Sequence, residues 1–233
     1  AYSRKQLRSV LMRRSETLVL AEEYDAALET LSEMRELSPD RRQLESLVAL
    51  LVYNDEQELP AKVSRQLWER AQAEESGPYP TSRWIVDALL MRNHGLEPET
   101  LVAFMIPVLE SKNGHMPRLG LGLAHYRAGH FTEAAEMIEA YDADPTWTRP
   151  ITYFFSAMAH QKIDKTDRAK ELYDLAVDRM NEITPTPESG IELKKWEPPR
   201  WALWCLYQGV QREAIGVLEI DIEQTSEPAL SAE

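Results

Sequence analysis

Apolar residues recur at intervals of three and four along most of this chain, and this spacing restricts the fold more than any other feature. Ala27, Leu28, Leu31, Met34 and Leu37 show it clearly. Residues spaced in this way form one apolar stripe along an α-helix. The chain has only 9 glycines in 233 residues, and no turn of the Asn-Gly type joins two runs of alternating apolar and polar residues. The spacing therefore predicts an all-α fold.

Prolines and glycines divide the chain into helical segments of similar length. The strongest internal break is Gly77-Pro78-Tyr79-Pro80, because proline disfavours helix at its own position and at the residue before it. Pro107 falls inside a predicted helix and is expected to kink or shorten it. The predicted helices are 3–21, 24–37, 41–53, 60–75, 82–94, 98–111, 116–128, 131–142, 148–162, 166–182 and 199–222.

A helical unit of roughly 34 residues recurs along the chain. Ala134 and Ala169, small residues at the same place in two such units, are 35 residues apart. Ala27 lies 107 residues before Ala134, which leaves room for two less regular units between them. Small side chains allow paired helices to approach closely, and neighbouring aromatic side chains fill the groove between them. The repetition predicts helical hairpins packed side by side.

Three motifs carry the repeat. They are Tyr24-Asp25-Ala26-Ala27, Leu121-Gly122 and Gly129-His130-Phe131-Thr132-Glu133-Ala134-Ala135, with Ala169 and Ala176 in a further unit. Through these motifs the chain resembles the tetratricopeptide-repeat superfamily. More narrowly, the runs 121–129 and 154–161 are similar to the tetratricopeptide region common in planctomycete bacteria. Residues 41–112 depart from the pattern, so their register stays open.

The resemblance implies a right-handed α-solenoid of about five helical hairpins followed by a C-terminal capping helix. It also implies that such a region often follows a eukaryotic-like serine/threonine kinase domain or a WD-repeat propeller. The chain has no starting methionine, and we expect one domain, 1–233, from a longer protein. Its expected parts are repeat 1 (1–40), the degenerate repeats 2 (41–76) and 3 (81–112), repeat 4 (115–146), repeat 5 (148–182) and the capping helix (199–222).

Charge and composition exclude several classes of function. The chain has 26 Lys and Arg but 39 Asp and Glu, a formal net charge of −13, so we expect no nucleic-acid binding, which needs clustered positive charge. The longest apolar run, 47–53, is too short to cross a bilayer, and no secretory signal follows Ala1, so we expect no membrane contact. The single cysteine, Cys205, excludes an internal disulfide and fits a reducing compartment. We therefore expect a cytoplasmic protein.

Motifs for catalysis or cofactor binding are absent from the sequence. Gly120-Leu121-Gly122 begins like a dinucleotide-binding loop, but His125 stands at the third glycine position and no strand-like run precedes it. The sequence contains no Gly-x-x-x-x-Gly-Lys loop, no Cys-x-x-Cys or His-Glu-x-x-His metal motif, and no kinase motif. We expect no enzymatic activity, no cofactor and no metal.

The histidines and the cysteine are expected to pack rather than react. His125 and His130 are five residues apart, and Gly129 is expected to end the helix between them, so they should not share one helical face. His125 and His160 occupy the same repeat position, where the pattern often has an aromatic residue. Cys205 lies in an apolar helix, whereas a reactive thiolate needs cationic surroundings, so a buried structural thiol is favoured.

A basic helix opens this acidic chain. Its cations are Arg4, Lys5, Arg8, Arg13 and Arg14. These residues form either a contact for an acidic partner or a preceding domain, or simply a solvated helix face. Both interpretations stay open.

Aromatic residues cluster near the end of the chain, where Trp196, Trp201 and Trp204 precede Tyr207. In one interpretation the last helix buries these rings against the exposed end of the final repeat, as solenoids require. In the other, the rings anchor a partner. The cap is the favoured interpretation, and it predicts that the Trp201 ring is buried.

We expect a non-catalytic protein-interaction module whose concave face accepts a peptide or an amphipathic helix. The predicted lining is mostly apolar, which disfavours a clamp for a C-terminal carboxylate because the charge would lose hydration without a cationic partner. The bound helix is either foreign or the chain's own segment 199–222. The alternative is an intramolecular regulatory or docking domain that follows a serine/threonine kinase. The candidate partner-binding residues are Met12, Glu16, Leu119, Leu123, Tyr126, Phe154, Met158 and Gln161.

Overall fold

The computed structural model describes residues 3–21, 23–35, 41–73, 78–111, 114–139, 149–183 and 200–220. All regular secondary structure in these ranges is α-helical. The all-α class predicted from the apolar spacing is therefore confirmed for the described part of the chain. The helices are α1 (Arg4–Leu20), α2 (Tyr24–Arg35), α3 (Arg41–Tyr53), α4 (Leu59–Gln72), α5 (Pro78–Leu90), α6 (Pro98–Ser111), α7 (His115–Ala128), α8 (Phe131–Glu139), α9 (Arg149–Lys162), α10 (Thr166–Ile183) and α11 (Arg200–Leu218).

Each predicted helix has a counterpart in the structure, and the largest difference in position is at α5. This helix runs from Pro78 to Leu90 rather than over 82–94. Proline is tolerated in the first turn of a helix, where its missing N–H would have no partner within the helix. The segment read as a break therefore starts the helix.

Pro107 neither ends nor shortens α6, which continues to Ser111. A proline inside a helix deprives the carbonyl four residues earlier, here that of Ala103, of its hydrogen bond. Ala103 and Pro107 are both exposed, so water can bind that carbonyl in place of the backbone N–H. Of the two effects expected of Pro107, shortening of the helix does not occur for this reason, and a kink stays a prediction.

Most helices pack against a helix that is close in sequence. The closest packing joins α9 with α10, α6 with α7, α7 with α8, α1 with α2, and α4 with α5. The exception is α11, which packs mainly against α3 and α9 and to a smaller extent against α10. It is therefore not a cap placed on the last hairpin alone. The predicted burial of the Trp201 ring falls on a side chain outside the described residues.

The repeat positions between α7 and α10 pack as the sequence predicted. Ala134 and Ala169 are fully buried. A Cβ atom added to Gly122 would lie 2.5 Å from Cγ1 of Ile138, so α7 and α8 approach as closely as a residue without a side chain allows. The ring of Tyr126 lies between those of Phe131 and Phe155, with centroid distances of 5.6 and 5.3 Å. Small residues thus let the helices approach closely, and a neighbouring aromatic ring fills the groove between them.

One continuous hydrophobic core joins the described helices, from Leu11 of α1 to Ala214 of α11. No helix in the described ranges is both long enough and apolar enough to cross a membrane.

Candidate functional site

The surface covered by α11 is the candidate functional site, because it joins helices that are far apart in sequence. α11 follows α10 in the chain, yet its main neighbours are α3 and α9. The side chains on the inner face of α11 are almost completely shielded from solvent. They are Cys205, Leu206, Tyr207, Val210 and Ala214.

Gly209 allows α11 to lie directly against the backbone of α3. A Cβ atom added at this position would lie 2.5 Å from the carbonyl oxygen of Val52 and 2.6 Å from its Cγ1. Contacts this short do not occur with real side chains, and the carbonyl belongs to the backbone, so it cannot move aside without shifting α3. Among the twenty residue types only glycine fits here.

An ion pair between Arg127 of α7 and Glu213 of α11 holds the second half of α11. Both terminal nitrogens of the guanidinium donate to the carboxylate. The distance from Nη2 to Oε2 is 3.1 Å. Only 10% of the Arg127 side chain and 7% of the Glu213 side chain are exposed. A pair buried to this degree is weak evidence for net stability, but removing one partner leaves a charge without compensation.

Arg127 makes further contacts that fix its direction. Its Nε donates to the carbonyl oxygen of Leu89 at the end of α5, over 2.9 Å. Its guanidinium carbon lies 5.2 Å from the centroid of the Phe155 ring and 5.5 Å from that of Tyr126, within the range of cation–π attraction. Arg127 thus joins α5, α7, α9 and α11. Burial, with the Glu213 carboxylate nearby, raises the pKa of the Tyr126 hydroxyl to about 12.

Aromatic side chains hold the first half of α11. The ring centroid of Trp204 lies 5.3 Å from that of Tyr53 and 6.4 Å from that of Tyr24. Arg212 donates a hydrogen bond to the carbonyl oxygen of Tyr53, and its guanidinium carbon lies 4.5 Å from the Tyr53 ring centroid. The aromatic ends of α2 and α3 therefore form one receiving surface for α11.

Two glutamines connect α11 to α10. The amide nitrogen of Gln211 donates to the hydroxyl of Tyr173 over 3.3 Å. That of Gln208 points to the sulfur of Met180 at 3.8 Å. These contacts are polar and partly exposed, unlike the buried contacts of α11 with α3 and α7.

A cavity of about 140 Å³ remains beside α11, between the ends of α3 and α5. The charged side chains that line this cavity include both acids and arginines. The Arg92 guanidinium lies 3.8 Å from the Asp55 carboxylate and 3.7 Å from that of Glu213, distances too long for strong hydrogen bonds. The cavity shows that packing between α11 and its neighbours is incomplete at this end. The lining residues are Leu51, Val52, Asp55, Glu56, Pro60, Leu90, Met91, Arg92, Gly209, Arg212 and Glu213.

Most of the candidate partner-binding residues lie in the core rather than on an open surface. A partner would reach the buried ones only by displacing their present neighbours, so their binding role stays a prediction. Leu119, Leu123, Tyr126, Phe154 and Met158 are buried, whereas Met12, Glu16 and Gln161 are partly buried. Arg127, which follows Tyr126 in the chain and lies over its ring, is part of the surface under α11. The Tyr126 hydroxyl lies 3.6 Å from the sulfur of Met158.

Sequence reasoning missed Arg127, Gly209 and Glu213. The last two left a signal: a glycine inside an apolar helix often marks a close approach, and an acid stands four residues later on the same face. Arg127 left none, because an arginine near the end of a helix is ordinary.

His125 and His130 do not share a helical face, as expected, because Gly129 ends α7 between them. Their Nδ1 atoms nevertheless lie 3.3 Å apart, a contact that the sequence did not predict. Gly129 adopts a left-handed conformation (φ 82°), and the His130 N–H returns to the His125 carbonyl over 2.9 Å. This helix ending folds the chain back on itself. The Nε2 atom of His130 lies 3.2 Å from the Glu99 carboxylate. Within the described residues no group of three or more His, Cys, Asp or Glu could hold a metal ion.

His160 is buried, as its repeat position predicted. Its Nε2 lies 3.0 Å from the carboxylate of Glu139, which also accepts a bond from Arg168 over 3.1 Å. Partial burial raises the pKa of Glu139, but the hydrogen bonds from Arg168 and His160 outweigh this and hold the pKa below its usual value.

Cys205 is fully buried, which confirms the expected structural thiol. Burial raises the pKa of this thiol to about 12. It is therefore protonated at neutral pH, and the nucleophilic thiolate is nearly absent.

No protein-family model, no curated protein and no solved structure matches the chain. The tetratricopeptide resemblance therefore rests on the motifs of the chain alone.

Proposed function

We propose that this protein is a non-catalytic interaction module, built as a right-handed α-solenoid of tetratricopeptide type, whose helix-binding surface is occupied by its own helix α11. The observation that supports the proposal is that α11 lies on α3 and α9 rather than on α10 alone. A helix from one end of the chain thus occupies a surface assembled from distant segments. We also propose a cytoplasmic location, which the single cysteine of the sequence favours.

The contacts of α11 are those expected of a bound amphipathic helix. An apolar face enters a groove, an aromatic side chain anchors one end, and a charge pair fixes the register. Trp204 supplies the aromatic anchor, Gly209 the closest approach and Glu213 the charge. A partner helix that presents an aromatic, a small and an acidic residue at the same spacing would satisfy the same surface.

Such a partner must compete with α11, which is covalently attached. A covalently attached segment acts at an effective concentration that the linker sets and that reaches the millimolar range when the linker is short. Binding of a foreign helix is therefore weak unless the partner fits better or α11 is loosened. The module is in this sense self-inhibited, and its regulation lies in whatever loosens α11.

The experiment measures binding of a fluorescently labelled peptide of residues 200–220 to the full chain by anisotropy. Gly209→Ala places a Cβ atom against the Val52 carbonyl and should loosen the tethered α11. Gly216→Ala is the matched control on the same helix, because its Cβ atom would meet only the Arg92 guanidinium at 4.0 Å. We expect the peptide, which keeps glycine at 209, to bind Gly209→Ala more tightly than either wild type or Gly216→Ala.

Glu213→Gln gives a second test that introduces no steric clash, with the exposed Glu219→Gln as its control. Circular dichroism of each variant shows whether the helices are retained. Equal peptide binding to all variants, or no binding to a Gly209→Ala or Glu213→Gln chain that keeps its helices, would contradict the proposal.

A further inference from the structure

The outer face of α1 carries two adjacent apolar side chains that the described part of the chain leaves partly open to solvent. Large hydrophobic side chains are exposed at four places in the described ranges: Leu7 (38%), Val10 (51%), Ile106 (43%) and Leu175 (37%). The last two stand on different helices, and single exposed apolar residues are ordinary on soluble proteins. Leu7 and Val10 are three residues apart, which places them next to each other on one face of α1.

Two arginines extend this face. Arg13 and Arg14 follow Val10 by three and four residues, and both are exposed. Neither forms an ion pair or a side-chain hydrogen bond with any residue of the described ranges. The helix has a single acid, Glu16, in a chain whose formal net charge is −13. The exposed face of α1 is thus opposite in charge to the protein as a whole.

The buried face of α1, which adjoins Leu7, holds the helix firmly in place. Leu11, Ser15 and Val19 are buried, and α1 packs closely against α2. At the start of the helix, Ser3 and Gln6 each accept a hydrogen bond from the other's backbone N–H, over 3.3 and 2.9 Å. This capping box fixes the first turn. The outer face is therefore preformed, and a ligand that binds there need not order it.

Charge selects the occupant of this face. A second copy of the chain would pair by two-fold symmetry, which sets the same patch against itself, so Arg13 and Arg14 would meet like charges. An anionic membrane is an extended surface that would attract α1 but repel the acidic remainder of the protein, whereas a single helix meets only the local surface of α1. An acidic amphipathic helix satisfies both features, because apolar anchors cover Leu7 and Val10 while carboxylates accept bidentate bonds from the guanidinium groups.

We propose that the outer face of α1 is a docking site for an acidic amphipathic helix of another protein. The site is separate from the surface under α11. It gives a physical role to the exposed pair Leu7 and Val10 and to the two arginines beside them, which have no ion-pair partner within the described ranges.

Calorimetry with the full chain tests the site. The probe is a synthetic amphipathic peptide with leucines at helical spacing and glutamates on the flanks, and the comparison probe has lysines in place of the glutamates. Val10→Ser and Arg14→Glu alter the proposed site at exposed positions, where substitution leaves the fold intact. The matched controls are Ile106→Ser on α6 and Arg65→Glu on α4, which are also exposed.

We expect the glutamate peptide to bind and raised salt to weaken it, because the charges are exposed. Val10→Ser and Arg14→Glu should each weaken binding by about tenfold, whereas Ile106→Ser and Arg65→Glu should leave it unchanged. Equal binding of the lysine peptide, or equal losses in the control variants, would overturn the proposal. It would also be overturned if phosphatidylserine vesicles bound in an Arg14-dependent way while the glutamate peptide did not bind.

Discussion

The guanidinium of Arg127 and the carboxylate of Glu213 form a two-contact ion pair although 86 residues separate them in the chain. The pair joins α7 to α11 in an almost completely buried position. Arg127 also donates to the last turn of α5. This one contact therefore connects the middle of the chain with its C-terminal helix.

We expect Arg127→Met to destabilise the protein by about 3–5 kcal/mol, because it leaves the buried Glu213 carboxylate without its closest cation. Replacing both residues, as Arg127→Met with Glu213→Leu, should recover much of the loss, since a well-packed apolar pair does not pay the desolvation cost of charges. Urea denaturation of the two single variants and the double variant measures the coupling. Losses that simply add would show that the two side chains do not depend on each other.

Gly209→Ala should destabilise the protein by about 1–3 kcal/mol or more, because the added Cβ atom clashes with the backbone of α3. Gly216→Ala should be neutral or stabilising by about 0.5–1 kcal/mol, since alanine favours a helix interior over glycine. Thermal and urea unfolding of both variants give the comparison. Similar effects at the two positions would refute the close approach of α11 to Val52.

Ala134→Leu and Ala169→Leu should each cost about 1–3 kcal/mol, because both positions are fully buried at helix contacts and cannot take extra volume without displacing their neighbours. Ala103→Leu on the exposed side of α6 is the control and should change stability little. The free energy of unfolding is the measurement. Native stability in both buried variants would mean that these alanines are not packing positions.

Stability should fall as the pH decreases from about 6.5 to 4, with His94 as one cause. Burial, together with the nearby Arg127 cation, lowers the pKa of His94 from 6.5 to about 4. Its Nδ1 accepts the N–H of Leu96 over 3.1 Å, which requires this atom to be unprotonated. Between the two pKa values the unfolded chain binds a proton that the folded chain does not, so acid favours unfolding, by at most about 1.4 kcal/mol per pH unit.

His94→Asn keeps a hydrogen-bond acceptor for Leu96 but does not titrate in this range, so it should flatten the decline. His115→Asn serves as the control. Urea midpoints measured at several pH values between 4 and 7 decide the matter. A decline of unchanged steepness in His94→Asn would assign the effect to other groups.

The helices were predictable because their signals are local. The apolar spacing of α2 and α10 and the helix-ending Gly129 each depend on residues within a few positions of one another. The error at α5 had a local cause as well. Pro78 starts a helix where a break was predicted, since the first turn tolerates proline. The contact between His130 and His125, which was not predicted, arises because Gly129 reverses the chain.

The position of α11 was only partly predictable. Its apolar and aromatic composition showed that it must be buried, and the chain's own groove was one of the expected places. Which helices receive it depended on features outside its own sequence, such as the Tyr24 and Tyr53 rings and the Arg127 guanidinium. The presence of Trp204 in the sequence does not indicate which of the other helices its ring contacts.

By itself, the sequence determined an all-helical chain with breaks close to the observed ones and with alanines and glycines at close helix contacts, because these properties follow from interactions between residues near one another. Only the tertiary structure decided that α11 lies on α3 and α9 and that Glu213 meets Arg127. The physical reason is that burial in a core is favourable wherever apolar surface is available, so hydrophobicity drives α11 inside without choosing a partner. The choice comes from shape at Gly209 and from charge at Glu213, and both depend on residues distant in the chain.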